Sequence, residues 1–129
     1  MVSHWIALLA TGLATYYNPG LMQTAYEHRL AQGLVVPCAE CRGMVAMLEP
    51  EYIGRKVWLK FDGAPGAYGP FLVVDCAPQD AVQKQALMAR GWVLDIDYPL
   101  AVKIGMNTPM SVRVFEGYED APCKSDAPC

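Results

Sequence analysis

Residues 69–106 read GPFLVVDCAPQDAVQKQALMARGWVLDIDYPLAVKIGM. The run 71–75 is a short apolar strand ending on Asp75. Asp80 and Gln83 have the spacing of a capping box, and Gly91 supplies the stop, so a helix is predicted between them with Val82, Ala86 and Ala89 as its buried stripe. A second apolar strand, 92–96, carries Asp95. Asp97 suits the N-cap and Pro99 the first turn of another helix over 100–104. Both strands read as buried on two faces. Acids placed there must cap something, pair with something, or do chemistry.

Outward from this stretch, the chain is punctuated by glycine and proline. Residues 111–115 alternate as a last strand, and from Gly117 a tail begins. On the other side, 56–61 alternates, with Val57, Leu59 and Phe61 on one face and Lys56, Trp58 and Lys60 on the other. The apolar runs 35–37 and 43–48 are short enough for strands, and 49–54 breaks the second. Residues 12–17 are β-prone and end at the turn signature Asn18-Pro19-Gly20. Thr24 and Glu27 have capping-box spacing, which predicts a short helix stopped by Gly33. Many short strands, two or three short helices and a turn about every ten residues describe a mainly β chain forming a small barrel.

A chain of 129 residues, 53% hydrophobic, fits one compact domain. Its net charge is −3, with 10 basic and 13 acidic residues and no run of Lys or Arg. The electrostatic footprint of a phosphate-backbone binder is missing, which argues against nucleic acid as a partner. The apolar stretch 5–10 is far too short to span a bilayer. Residues 1–11 fit two descriptions, a leader or an N-terminal arm packed on a domain spanning 12–116. Residues 117–129 form a cysteine-containing tail.

Five cysteines, Cys38, Cys41, Cys76, Cys123 and Cys129, point to an oxidising compartment, secreted or in the cell envelope. Cys38 and Cys41 have metal-ligand spacing. No second CxxC and no nearby histidine completes a zinc set, so no metal and no cofactor is expected. Cys123 and Cys129 suit a small local disulfide.

Four segments carry a resemblance. Gly12-Leu13-Ala14-Thr15-Tyr16-Tyr17-Asn18-Pro19 resembles the G-x-A-S-W-Y-G-P opening of the rare lipoprotein A and expansin-type double-psi β-barrels. Gly54-Arg55-Lys56-Val57-Trp58-Leu59 is similar to their G-T-x-V-x-V segment, and the strand ending on Asp75 to their V-x-V-x-D-R-G-P. Residues 93–106 resemble I-D-L-S-x-A-A-A-x-x-L-G-M with the spacing from Asp95 to Gly105 kept. The resemblance covers about residues 12 to 115. It implies a six-stranded double-psi β-barrel that binds or cleaves cell-wall polysaccharide, such as a peptidoglycan strand, along an open groove.

By position, the resemblance makes Asp75 the acid at the end of the central strand, Asp95 the acid of the D-L-S segment, and Tyr17 a groove tyrosine. Lytic transglycosylase chemistry uses the sugar's own hydroxyl as nucleophile, so one protonated carboxyl beside the leaving oxygen suffices. Asp75 is the expected general acid/base with Asp95 its partner, and Tyr17, Trp58 and Tyr16 are the expected sugar platforms. Leu48 stands where the catalytic members carry histidine, and Cys76-Ala77 where they carry Arg-Gly. Structural roles remain open for the same residues: Asp95 tying a loop amide, the aromatics packing in the barrel. Cys76, one residue past Asp75, faces the opposite side, and its pairing with Cys38 or Cys41 is the expected staple. Three functions follow: a polysaccharide-binding domain with weak lytic transglycosylase activity, an active glycan-cleaving enzyme, or a non-catalytic barrel making protein contacts in a surface or phage assembly.

Overall fold

The computed structural model describes residues 4, 5 and 7–119. In chain order the elements are β1 His4–Trp5, β2 Leu8–Tyr16, α1 Leu21–Ala31, β3 Met44–Met47, a 3-10 turn Pro50–Tyr52, β4 Lys56–Phe61, β5 Tyr68–Cys76, α2 Ala81–Ala89, β6 Trp92–Ile96, α3 Tyr98–Ile104, β7 Met110–Phe115 and β8 Tyr118–Glu119. Six strands close a barrel in the order β2-β6-β3-β5-β4-β7. β2 runs parallel to β6 and β3 parallel to β5, while the remaining neighbours are antiparallel. Exchanging β2 with β5, β3 with β6 and β4 with β7 returns the same cyclic order and the same strand senses.

Alternation decides which side chains fill the barrel. Val57, Leu59 and Phe61 of β4 point inward as expected, and meet Val45, Phe71, Val73, Leu94, Ile96, Val112 and Val114. A second cluster lies on the outer surface, where α1 lays Met22 over Ala46, Leu72 and Val74. Full burial of a side chain such as Met22 is worth about 1.5–3 kcal/mol, enough to hold a helix with little amphipathic patterning of its own. β5 is therefore covered on both faces over residues 71–74. β6 is not: its outer residues Val93 and Asp95 are only half-buried.

Several elements depart from the sequence expectations. β2 starts at Leu8, not Gly12, because residues 8–14 pair with β7 across the barrel seam. Residues 8–11, expected in a leader or arm, are thus barrel strand. α1 begins three residues before Thr24, with Gly20 at the N-cap; the Thr24 hydroxyl donates back to the Gly20 carbonyl (3.1 Å) instead of forming a capping box. Residues 35–37 form no strand. α2 is capped as expected, Asp80 accepting from the Gln83 amide (2.9 Å), yet it buries no residue, and Val82 is 80% exposed. The expected stripe fails because α2 meets the barrel edgewise through Lys84 and Leu87, both half-buried. Tyr118–Glu119, expected in the tail, pairs with His4–Trp5. Cys123 and Cys129 lie outside the described residues.

Candidate functional site

Strand register brings the two acids onto one row. In β2–β6 pairing Thr15 faces Asp95; in β6–β3 pairing Asp95 faces Ala46; in β3–β5 pairing Ala46 faces Asp75. Two strand spacings, ~10 Å, separate the Asp95 and Asp75 backbones. Alternation from Val73, an inward residue, would also turn Asp75 inward. A register shift between Val45 and Ala46 leaves Val74 as the extra residue, and this bulge turns Asp75 out beside α1.

Asp75 is then engaged on both oxygens. Oδ1 accepts from the Arg29 guanidinium of α1 (3.1 Å) and Oδ2 from the Tyr17 hydroxyl (2.8 Å). Tyr17 leaves the end of β2 with its backbone N–H donating to the Ile96 carbonyl (3.0 Å) and packs against the Ala46 cluster. Its side chain thus reaches from β2 across β6 and β3 to β5, over the one small residue of the row. Burial, then the Asp75 hydrogen bond, then the charges of Asp75 and Asp95 push the phenol's pKa up, so Tyr17 stays a hydrogen-bond donor.

Asp95 is held differently. The Thr15 hydroxyl donates to Oδ1, as does the Trp92 indole N–H (3.2 Å), which also reaches the Thr15 hydroxyl (3.0 Å). Burial raises the Asp95 pKa; the two hydrogen bonds oppose that, and the Asp75 charge adds to it. No cation pairs with it among the described residues. Asp95 therefore holds its proton more tightly than an ordinary carboxyl.

Two depressions meet at Tyr17. One, of about 390 Å³, has Asp95 and Trp92 at its floor and Gln83, Leu87 and Arg90 of α2 along its side. The other, of about 430 Å³, lies against α1 and includes Asp75, Arg29, His28 and Thr24. Both are open, and Tyr17 is the lining residue they share, which makes them an adjoining pair.

The other expected platforms do not join it. Trp58 lies on β4, with its ring over Gly69, where an added Cβ would come within 2.5 Å of the indole. Gly69 is six residues along β5 from Asp75, ~20 Å. Tyr16 points away from Tyr17 along β2, packs against Tyr98 (5.8 Å between ring centroids) and lines a separate depression with Asn18 and Met106. Two residues that do join, Arg29 and Trp92, carry no site assignment from the sequence, nor does Thr15, which hydrogen-bonds Asp95 while lining the depression of Tyr16. Arg29 lies 46 residues from Asp75, and no local pattern links them.

The cysteine expectation needs a correction. Cys38 and Cys41 are bonded to each other, their Cα atoms 5.3 Å apart, and Cys76 is a free thiol. The turn that closes with the Cys41 amide on the Cys38 carbonyl (3.2 Å) already brings those two within disulfide range. Burial, then the neighbouring Asp75 charge, pushes the Cys76 thiol pKa up, away from a reactive thiolate. Among the described residues, no group of three His, Cys, Asp or Glu side chains is placed to hold a metal ion, and no helix is long and apolar enough to cross a membrane. The chain matches no protein-family model, no curated protein and no solved structure.

Proposed function

We propose that this chain is a double-psi β-barrel of the rare lipoprotein A type that binds a polysaccharide strand across the two depressions that share Tyr17. The fold assignment draws on the exchange-symmetric order of the six strands together with the four matching motifs. The carrying observation for binding is Tyr17 itself: an aromatic ring with its hydroxyl anchored on Asp75, shared by two open depressions, with a second carboxyl in one of them. Sugar rings present an apolar face and a rim of hydroxyls. An aromatic wall with carboxylate acceptors beside it offers a partner for each.

Binding without efficient cleavage is favoured by the state of Asp75. Both of its oxygens are occupied, by Arg29 and Tyr17, and Leu48 stands at the place of the family's histidine. If glycosidic bonds are cut, the proton donor is Asp95, whose pKa burial pushes up, and not Asp75 as the motif alone implies. It would protonate the bridging oxygen as the bond from that oxygen to the anomeric carbon breaks, and the carboxylate left behind would take the proton of the sugar hydroxyl that closes on the anomeric carbon.

Cosedimentation of the full chain with insoluble peptidoglycan, chitin and cellulose tests this. Retention is expected on one of them and a loss of about tenfold in affinity for Tyr17→Ala, the equivalent of ~1.4 kcal/mol. No retention on any glycan would overturn the proposal in favour of a protein-contact barrel. Release of anhydro-sugars that stops in Asp95→Asn would establish the cleaving alternative.

A further inference from the structure

The depression that Tyr16 lines has a volume of about 320 Å³ and no charged residue in its lining. Its base is set by the end of α3. Gly105 stops that helix at a φ of 72°, and the Met106 amide donates back to the Ala101 carbonyl (2.9 Å). Met106 is thereby turned into the core, and residues 107–109 pass beside the end of β2 before Met110 pairs with Ala14. Met106 and Pro109 make the base apolar, and Tyr16, 40% exposed, supplies an aromatic wall. Asn18, Asn107 and Thr108 complete the rim. These three are exposed, and their side chains make no hydrogen bond among the described residues. Asn18 also stands where the motif that this segment resembles has glycine. Thr15 borders the same depression while its hydroxyl donates to Asp95, so the wall of one site is bonded to the floor of the next.

We propose that this depression holds one uncharged, N-acetylated sugar unit. The inference rests on the polysaccharide reading of the two Tyr17 depressions and names the sugar that continues past Asp95. An acetamido group brings a carbonyl that needs a donor, an N–H that needs an acceptor and a methyl that needs cover. The carboxamides of Asn18 and Asn107 each carry both a donor and an acceptor, and the Met106–Pro109 base receives the methyl. Tyr16 takes the apolar face of the ring. A volume close to the ~300 Å³ lower end of small-ligand sites suits a single ring. A sugar carrying a carboxylate finds no cation in this lining. A plain glucose unit has neither the amide for the two asparagines nor the methyl for the base.

Titration of the isotope-labelled full chain with N,N′-diacetylchitobiose and with cellobiose, followed by amide chemical shifts, tests it. Saturable shifts are expected at Asn18, Asn107 and Thr108 with the first disaccharide, and about tenfold weaker binding of the second, the loss of one or two neutral hydrogen bonds. Asn107→Ala is expected to abolish that preference. Asn107 is exposed and its side chain has no hydrogen-bond partner among the described residues, so this variant keeps the fold, and its amide spectrum verifies that. Equal binding of the two disaccharides at these amides, or an unchanged preference in Asn107→Ala, would overturn the proposal. Saturable shifts at Tyr17 and Asp95 with none at Asn18, Asn107 and Thr108 would overturn it while leaving the polysaccharide reading in place. Shifts at neither set would overturn it too, and with no retention on insoluble glycan that reading falls as well.

Discussion

Asp95 illustrates how a single residue is tuned by its position in a row. Its neighbours supply two hydrogen-bond donors and no positive charge, so burial outweighs them and its pKa rises. The folded chain therefore binds this proton more tightly than the unfolded chain does. The resulting stability is complete below the unfolded carboxyl value, about 3.9, and is lost as pH rises through the folded value. Asp95→Asn mimics the protonated form and should gain stability relative to the parent as pH climbs from about 4 to 7. Chemical denaturation of both proteins across that range is the measurement; a difference that does not vary with pH would contradict the assignment. Motif spacing singles out the acids and Tyr17 in the sequence, and the fold adds that Tyr17 hydrogen-bonds Asp75. The Arg29–Asp75 pair was not legible there, since it depends on where α1 lands on the outer face of β3 and β5.

At the scale of elements, local signals located the strands, and long-range pairing set their ends. The alternation over 56–61 gave β4 because one face meets the core; the start of β2 at Leu8 was invisible because residues 8–11 are ordered by β7, about a hundred positions away. The N-terminus of α1 was missed for a related reason. Its cap, Gly20, works through a positive φ of 85° and offers no side-chain signal. Gly12 has a different role. An added Cβ there would lie 2.3 Å from the Gly91 carbonyl oxygen, a backbone atom that also accepts the Leu13 amide (2.7 Å). Gly12→Ala should therefore force β2 and the start of β6 apart and cost roughly 1–3 kcal/mol. A lowered urea midpoint with an unchanged m value would report it, and an unshifted midpoint would count against the tight β2–β6 approach.

For the molecule as a whole, stability resides in the closed barrel and its two apolar clusters more than in covalent ties. The Cys38–Cys41 bond closes a loop of sequence separation 3, so chain entropy limits its contribution to about 2 kcal/mol. The reduced protein should remain folded, with circular dichroism preserved and a modestly lower melting temperature; unfolding on reduction would show that the bond does more than restrict the loop.

Around the barrel, only β4 and β5 are neighbours both in space and in chain order. β7 comes last of the six and seals β2 on one side and β4 on the other. On a ribosome, the growing polypeptide must therefore hold two unzipped edges until Phe115 has cleared the exit tunnel. Chaperones that shield bare strands should find their longest opportunity in that interval.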